Sequence, residues 1–104
     1  MSAHILAQET GINELCVMLT GELDHHASEQ LREKLDEMIS RKNYRRVVFD
    51  MGGVSFMDSS GIAVVLRTFQ ACQAAGGHFC VRGARKQARR VLDAAGLDKL
   101  ISFI

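Results

Sequence analysis

Proline and tryptophan are absent from the 104 residues, and one tyrosine and five phenylalanines are the whole aromatic complement. With no proline, no low-complexity stretch and no internal repeat, nothing marks a linker, and residues 1–104 are expected to form one domain. No uncharged apolar run approaches the roughly 18 residues that a membrane-spanning helix needs. The opening run MSAHILAQETG has neither the basic segment nor the long apolar segment of a secretory signal, so a cytoplasmic protein is expected. The three cysteines, Cys16, Cys72 and Cys80, are odd in number, lack a C-x-x-C spacing and sit among apolar neighbours. They read as buried free thiols in a reducing compartment, not as disulfide, redox or metal groups. Charge of one sign is also missing. Thirteen basic and twelve acidic residues leave a net charge of +1, which removes any whole-chain attraction to nucleic acid or membrane.

Catalytic and nucleotide-binding signatures are missing too. Neither G-x-x-x-x-G-K-[ST] nor G-x-G-x-x-G occurs, and the nucleophile-elbow pattern G-x-S-x-G is absent. A domain of this length buries about two thirds of the surface its unfolded chain exposes, leaving little room for a deep, lidded active site.

What the chain has is alternation. Short β-like apolar runs take turns with longer segments of helical spacing, the pattern of βαβ units and a largely parallel sheet. A short strand near Ile5 to Gln8 is followed by a turn at Thr10-Gly11-Ile12-Asn13. Leu15 to Leu19, apolar on both faces, reads as a central strand. Asp24 is placed to cap a helix whose Ala27, Leu31, Leu35, Met38 and Ile39 share one face and which ends at Arg41-Lys42-Asn43. Val47 to Met51 reads as a second buried strand, broken by Gly52-Gly53, after which Val54 to Met57 lead into Asp58-Ser59-Ser60-Gly61 and a helix with Ile62, Val65, Leu66, Phe69 and Cys72 inward. Gly76-Gly77 would end that helix with positive-φ residues. His78 to Val81 is a third buried strand. A helix over Ala84–Ala95, with Ala88, Val91, Leu92 and Ala95 inward and Gly96 as its cap, precedes a last short strand at Leu100 to Ile104. The fold class is therefore α/β, a mixed, mostly parallel sheet of about four to five strands with helices packed on it.

Right-handed crossovers place the strand-to-helix loops of successive units at one edge of such a sheet, where sites are built. Two loops then converge, Gly21 to His26 and Met57 to Gly61, and they hold the least ordinary residues. Taken by composition alone, Asp24 is a helix cap, and Ser59 or Ser60 is another. His25 and His26 invite a metal reading, but adjacent residues in an extended segment point to opposite sides and no third ligand stands at a usual spacing, so no metal is expected. His4 and His78 look incidental. As a nucleophile Ser59 lacks a positioned histidine, and Asp58 is a poor base for it. Two basic clusters, Arg41-Lys42 with Arg45-Arg46 and the run from Arg82 to Arg90, read as solvated faces or as a contact for an acidic partner. With no aromatic interleaved to stack on bases, they assign no nucleic-acid function.

GELDHH at Gly21 to His26 together with FMDSSG at Phe56 to Gly61, in a matching βα order, resembles the STAS domains, in particular the sporulation-type anti-sigma factor antagonists. The resemblance covers nearly the whole chain. It implies a single STAS domain over 1–104 that is a binding module and not an enzyme. In that family the serine after the aspartate, here Ser59, is phosphorylated by a protein kinase that is also the anti-sigma factor, and the residue matching Asp24 docks a basic side chain of that kinase. The implied partner surface is Gly21, Asp24, His25, His26, Met57, Asp58, Ser60, Gly61 and Ile62. The implied partners are the anti-sigma factor serine kinase and a serine phosphatase, with no direct nucleic acid or membrane contact. No cofactor belongs to this chain, since Mg-ATP belongs to the kinase. Family members usually run on into a further C-terminal helix after the last strand, so the edge at Leu100 to Ile104 is expected to be less covered. Two alternatives stay open: a general-stress antagonist, and a STAS subunit of a membrane lipid or anion transport assembly.

The physics of Ser59 agrees with a phospho-switch. A phosphate at a helix start meets unpaired N–H groups that favour an anion, so the fold survives. A partner surface matched to the neutral hydroxyl meets roughly 1.5 to 2 new negative charges beside Asp58.

Overall fold

The structure, a computed structural model, describes residues 3–104. It runs β1 (His4–Gly11), β2 (Glu14–Leu23), α1 (His25–Ser40), β3 (Arg46–Met57), α2 (Ser59–Ala74), β4 (His78–Arg82), α3 (Lys86–Ala94), one 3₁₀ turn (Leu97–Lys99) and β5 (Ser102–Phe103). The five strands form one sheet in the order β1-β2-β3-β4-β5. β1 is antiparallel to β2, and every other pairing is parallel. Because β2 to β5 advance in one direction, right-handed crossovers put all three helices on the same face.

Strand alternation shows which face that is. Val17, Leu19, Val47, Phe49 and Met51 are fully buried and join Leu31, Leu35, Val65 and Leu92 of the helices in the main core. Among the described residues the opposite face carries no helix. There Cys16, Val48 and Cys80 lie in one row across β2, β3 and β4, 7–8% exposed, beneath the side chains of Arg46 and Arg82. The guanidinium of Arg82 donates to Cys16 Sγ at 3.4 Å, and that of Arg46 to Cys80 Sγ at 3.8 Å. All three cysteines are free and buried, and burial pushes the Cys72 thiol up to about 11.

Several expectations need correction. Gly52-Gly53 does not end a strand: β3 runs on to Met57, and its pairing with β2 slips between Met18↔Asp50 and Thr20↔Gly53. The pair makes a bulge, and glycine is required because a Cβ on Gly53 would stand 2.6 Å from Thr20 Cγ2. Only Gly76 of the Gly76-Gly77 pair has positive φ. Gly77 is glycine for space, since a Cβ there would run into the Tyr44 carbonyl oxygen. β2 is an interior strand, between β1 and β3, as expected, but its helix-free face is not buried throughout, because Met18 is 39% exposed; the middle strand of the five is β3. α3 is shorter than expected, Lys86–Ala94, and Ala95 points to solvent. On α2 the buried set also includes Val64 and Thr68, whose hydroxyl donates to the Val64 carbonyl at 3.0 Å. The last strand, read over Leu100 to Ile104, is only the two-residue β5, which follows the 3₁₀ turn, and Leu100 and Ile104 are exposed.

On the helix-free face, Asp50 accepts the Gly52 N–H at 3.0 Å and an Arg82 N–H at 3.1 Å. These bonds, the backbone one foremost, hold its carboxyl below the ordinary 3.8 despite partial burial. A carboxyl depressed in the folded state adds stability above its unfolded pKa and loses it as pH falls through the folded one. Asp50→Asn should therefore melt a few degrees below the parent near neutral pH, and the gap should close below about pH 4. Thermal melts of both proteins across that range check it, and a gap that is constant with pH would contradict it.

Candidate functional site

Two aspartates at the C-terminal ends of neighbouring parallel strands start the two helices that carry the site. Asp24 has extended backbone (φ −86°, ψ −177°), and its carboxylate accepts the Ala27 N–H at 2.9 Å. Asp58 has nearly the same conformation (φ −105°, ψ −172°) and accepts the Ser60 N–H at 2.8 Å. Each thus satisfies a backbone donor that the helix cannot. The two caps are held together by the sheet, because Asp58 N–H donates to the Leu23 carbonyl at 3.2 Å, directly before Asp24. Neither helix has an acidic side chain in its first turn. Two positive helix ends therefore open side by side, each with a single cap carboxylate.

Ser59 is the first residue of α2 and is exposed, and Asp58, not a serine, is the cap. Ser60 is half-buried, and its hydroxyl lies 3.3 Å from His25 Nδ1. His25 Nε2 is 3.1 Å from Glu29 Oε1, so one imidazole joins the start of α2 to the surface of α1. The expected extended conformation of the histidine pair is corrected: both lie in the first turn of α1, and His26 Nε2 stands 3.5 Å from Gln30 Nε2. Among the described residues no three His, Cys, Asp or Glu side chains gather as a metal-holding group. Gly21, Asp24, Asp58 and Ile62 are half-buried around these groups, and the Gly21 carbonyl accepts the Ser55 hydroxyl at 3.3 Å. Met57 and Gly61 are buried. A Cβ on Gly61 would lie 2.7 Å from Met57 Cγ and Cε, so the glycine lets the start of α2 settle on that side chain. These two residues shape the surface from beneath.

The Gln87 side chain on α3 clamps Met57 through both backbone groups: its amide oxygen accepts Met57 N–H and its amide nitrogen donates to the Met57 carbonyl, each at 2.8 Å. A glutamine inside a helix carries no local signal for this, since the clamp exists only because α3 crosses the end of β3. A groove of about 230 Å³ between α1 and α2, lined by His25, Ser28, Arg32, Ser60 and Ala63, runs beside the exposed serine. The arrangement presents an exposed serine at a helix start, directly after one cap carboxylate and on the helix end beside the one that Asp24 caps.

A family profile described as STAS domain matches residues 4–104. The anti-sigma F factor antagonist of Paenibacillus polymyxa is 38% identical over 87 residues, covering 84% of this chain and 74% of that protein. Among solved structures, the anti-sigma factor antagonist SpoIIAA in its unphosphorylated form superposes with a TM-score of 0.83 at 28% identity, covering 97% of this chain and 88% of that one. The Bacillus cell fate determinant SpoIIAA in the phosphorylated form gives a TM-score of 0.76 at 28% identity, covering 97% and 91%.

Proposed function

The chain belongs to the STAS domain family, and from that premise we propose that it is a cytoplasmic anti-sigma factor antagonist of the sporulation type. Unphosphorylated, it binds an anti-sigma factor that is also a serine kinase and so frees a sigma factor. Phosphorylation of Ser59 ends the binding, and a serine phosphatase restores it. The protein is ligand and substrate, not catalyst. The observation that carries this reading is Ser59 itself, exposed at the first position of α2, directly after the cap Asp58 and on the helix end beside the one that Asp24 caps. Support also comes from the relatives, which are named as antagonists, and from a neighbour of the same fold whose structure is of a phosphorylated form.

Incubation with the candidate anti-sigma serine kinase and Mg-ATP, followed by intact-mass spectrometry, tests it. One phosphoryl group on the parent and none on Ser59→Ala is the expected result. No addition to either protein would move the assignment to a constitutive STAS subunit, with Ser59 only a helix-start residue.

Asp24 has two duties in this reading, capping α1 and docking a basic side chain of the kinase, and they can be separated. Ser at a cap position still accepts the N–H bond but carries no charge. Asp24→Ser should keep the melting temperature within a few degrees and weaken kinase binding about tenfold or more, as loss of one charged partner does. If calorimetry shows unchanged affinity, Asp24 is a cap and nothing else.

A further inference from the structure

β1 is an edge strand, paired with β2 on one side only. Edge strands are ordinarily guarded by lysine, proline, an inward charge or a bulge, because a free row of N–H and C=O groups is a template for another strand. Between Ala3 and Gln8 none of these guards is present: the residues are Ala, His, Ile, Leu, Ala and Gln. The irregularity of β1 falls beyond that stretch, between Glu9 and Gly11, and Glu9 is held by Lys42 at 2.9 Å and by the Tyr44 hydroxyl at 3.4 Å.

Both faces of this edge are apolar at the same place. On the helix-free face Leu6 is 63% exposed and pairs with Met18, itself 39% exposed. On the helix side Ile5 and Ala7, paired with Leu19 and Val17, are only half-buried and border an open groove of about 390 Å³ that Met38 and Tyr44 also line.

We propose that β1 is the interface of a symmetric dimer of this chain, in which two copies pair their β1 strands antiparallel about a two-fold axis through Leu6 and join their sheets into one of ten strands. The occupant is a second copy because the edge is complementary to itself. Directly opposed residues of antiparallel strands share a face, which allows only registers that pair odd with odd and even with even. An axis at Leu6 sets Leu6 on Leu6 of the other copy, Ile5 on Ala7 twice, His4 on Gln8 twice, and lets the strands overlap from Ala3 to Glu9. The two Leu6 and two Met18 side chains then form one apolar cluster on the helix-free face. An axis at Ala7 instead sets Ile5 against Glu9, and an axis at Ile5 sets Leu6 against His4 and shortens the overlap. Two-fold closure also limits assembly to the pair, since each copy has one β1. The interface is small, so association is reversible, with a dissociation constant of roughly 100 µM.

Sedimentation velocity of the full chain from about 10 µM to about 1 mM tests this range. The weight-average mass of the parent should climb from 11.5 kDa toward twice that value. Leu6→Lys and Leu6→Glu, at a position open to solvent, should each stay at the monomer mass with unchanged melting temperatures, because each brings like charges together on the axis. Mixed in equal amounts they should dimerise again. Without any substitution, amide chemical shifts should move with concentration along Ala3 to Glu9. A parent that stays monomeric throughout, a dimer that persists in Leu6→Lys, a mixture that does not reassociate, or concentration-dependent shifts confined to another strand overturns the proposal.

Discussion

Ser59→Asp should leave the protein folded and reduce its affinity for the anti-sigma kinase by about 100-fold. The two halves of that expectation come from the same position. Ser59 opens α2, where the free N–H groups of the first turn and the helix dipole favour a negative group, and the first turn has no acidic side chain of its own. The melting temperature should therefore stay within a few degrees of the parent. The binding surface has the opposite preference. A partner that closes over the neutral hydroxyl already accommodates the carboxylates of Asp24 and Asp58. A third negative group forces like-charge contact and desolvation worth several kcal/mol, and about 2.8 kcal/mol is a hundredfold. A phosphate, carrying nearly twice the charge, acts more strongly in the same direction. Isothermal calorimetry alongside thermal melts checks both parts. Equal affinity of Ser59→Asp and parent would remove charge as the switch, and a large fall in melting temperature would make the serine structural.

This separation of fold from binding was legible in the sequence because the signals that create it are local. Asp24 stands one residue before a run of helical apolar spacing and is a cap in the structure, whereas the cap of α2, read at Ser59 or Ser60, lies one residue earlier at Asp58. The convergence of the two loops also followed from the βα order, and the bond from Asp58 N–H to the Leu23 carbonyl realises it. What was not legible depends on neighbours distant in the chain. Gly52-Gly53 looks like a strand break when read alone, yet β2 goes on pairing through Gly53 and Val54 and keeps the strand whole. Gly77 looks like a cap, but its reason is the Tyr44 carbonyl, more than thirty residues away in sequence. The Gln87 clamp and the buried row beneath Arg46 and Arg82 arise in the same way. Each needs the strand order, which fixes both where α3 crosses and which face of the sheet stays without helices.

The largest loss of stability is expected at Phe49. It is fully buried in the middle of the central strand, between Val17 of β2 and Val81 of β4, and meets Phe79 edge-to-face with ring centroids 4.8 Å apart at 78°. All three helices pack on this face, so a truncated ring leaves a cavity that no single side chain can fill. Phe49→Ala should cost about 3–5 kcal/mol, against a total of about 5–15 kcal/mol for a domain of this kind. A domain of about 100 residues loses roughly 4–8 °C per kcal/mol, so the melting temperature should fall by about 12 °C or more. Phe49→Leu, which keeps most of the volume, should cost far less. Differential scanning calorimetry distinguishes the two. Kinase binding by Phe49→Ala should track the folded fraction, recovering on cooling below its melting transition, whereas Ser59→Asp should bind poorly at every temperature at which it is folded. A Phe49→Ala protein that melts within a few degrees of the parent would mean that the core closes around the missing ring, and that the helices are held to the sheet from its margins and not from β3.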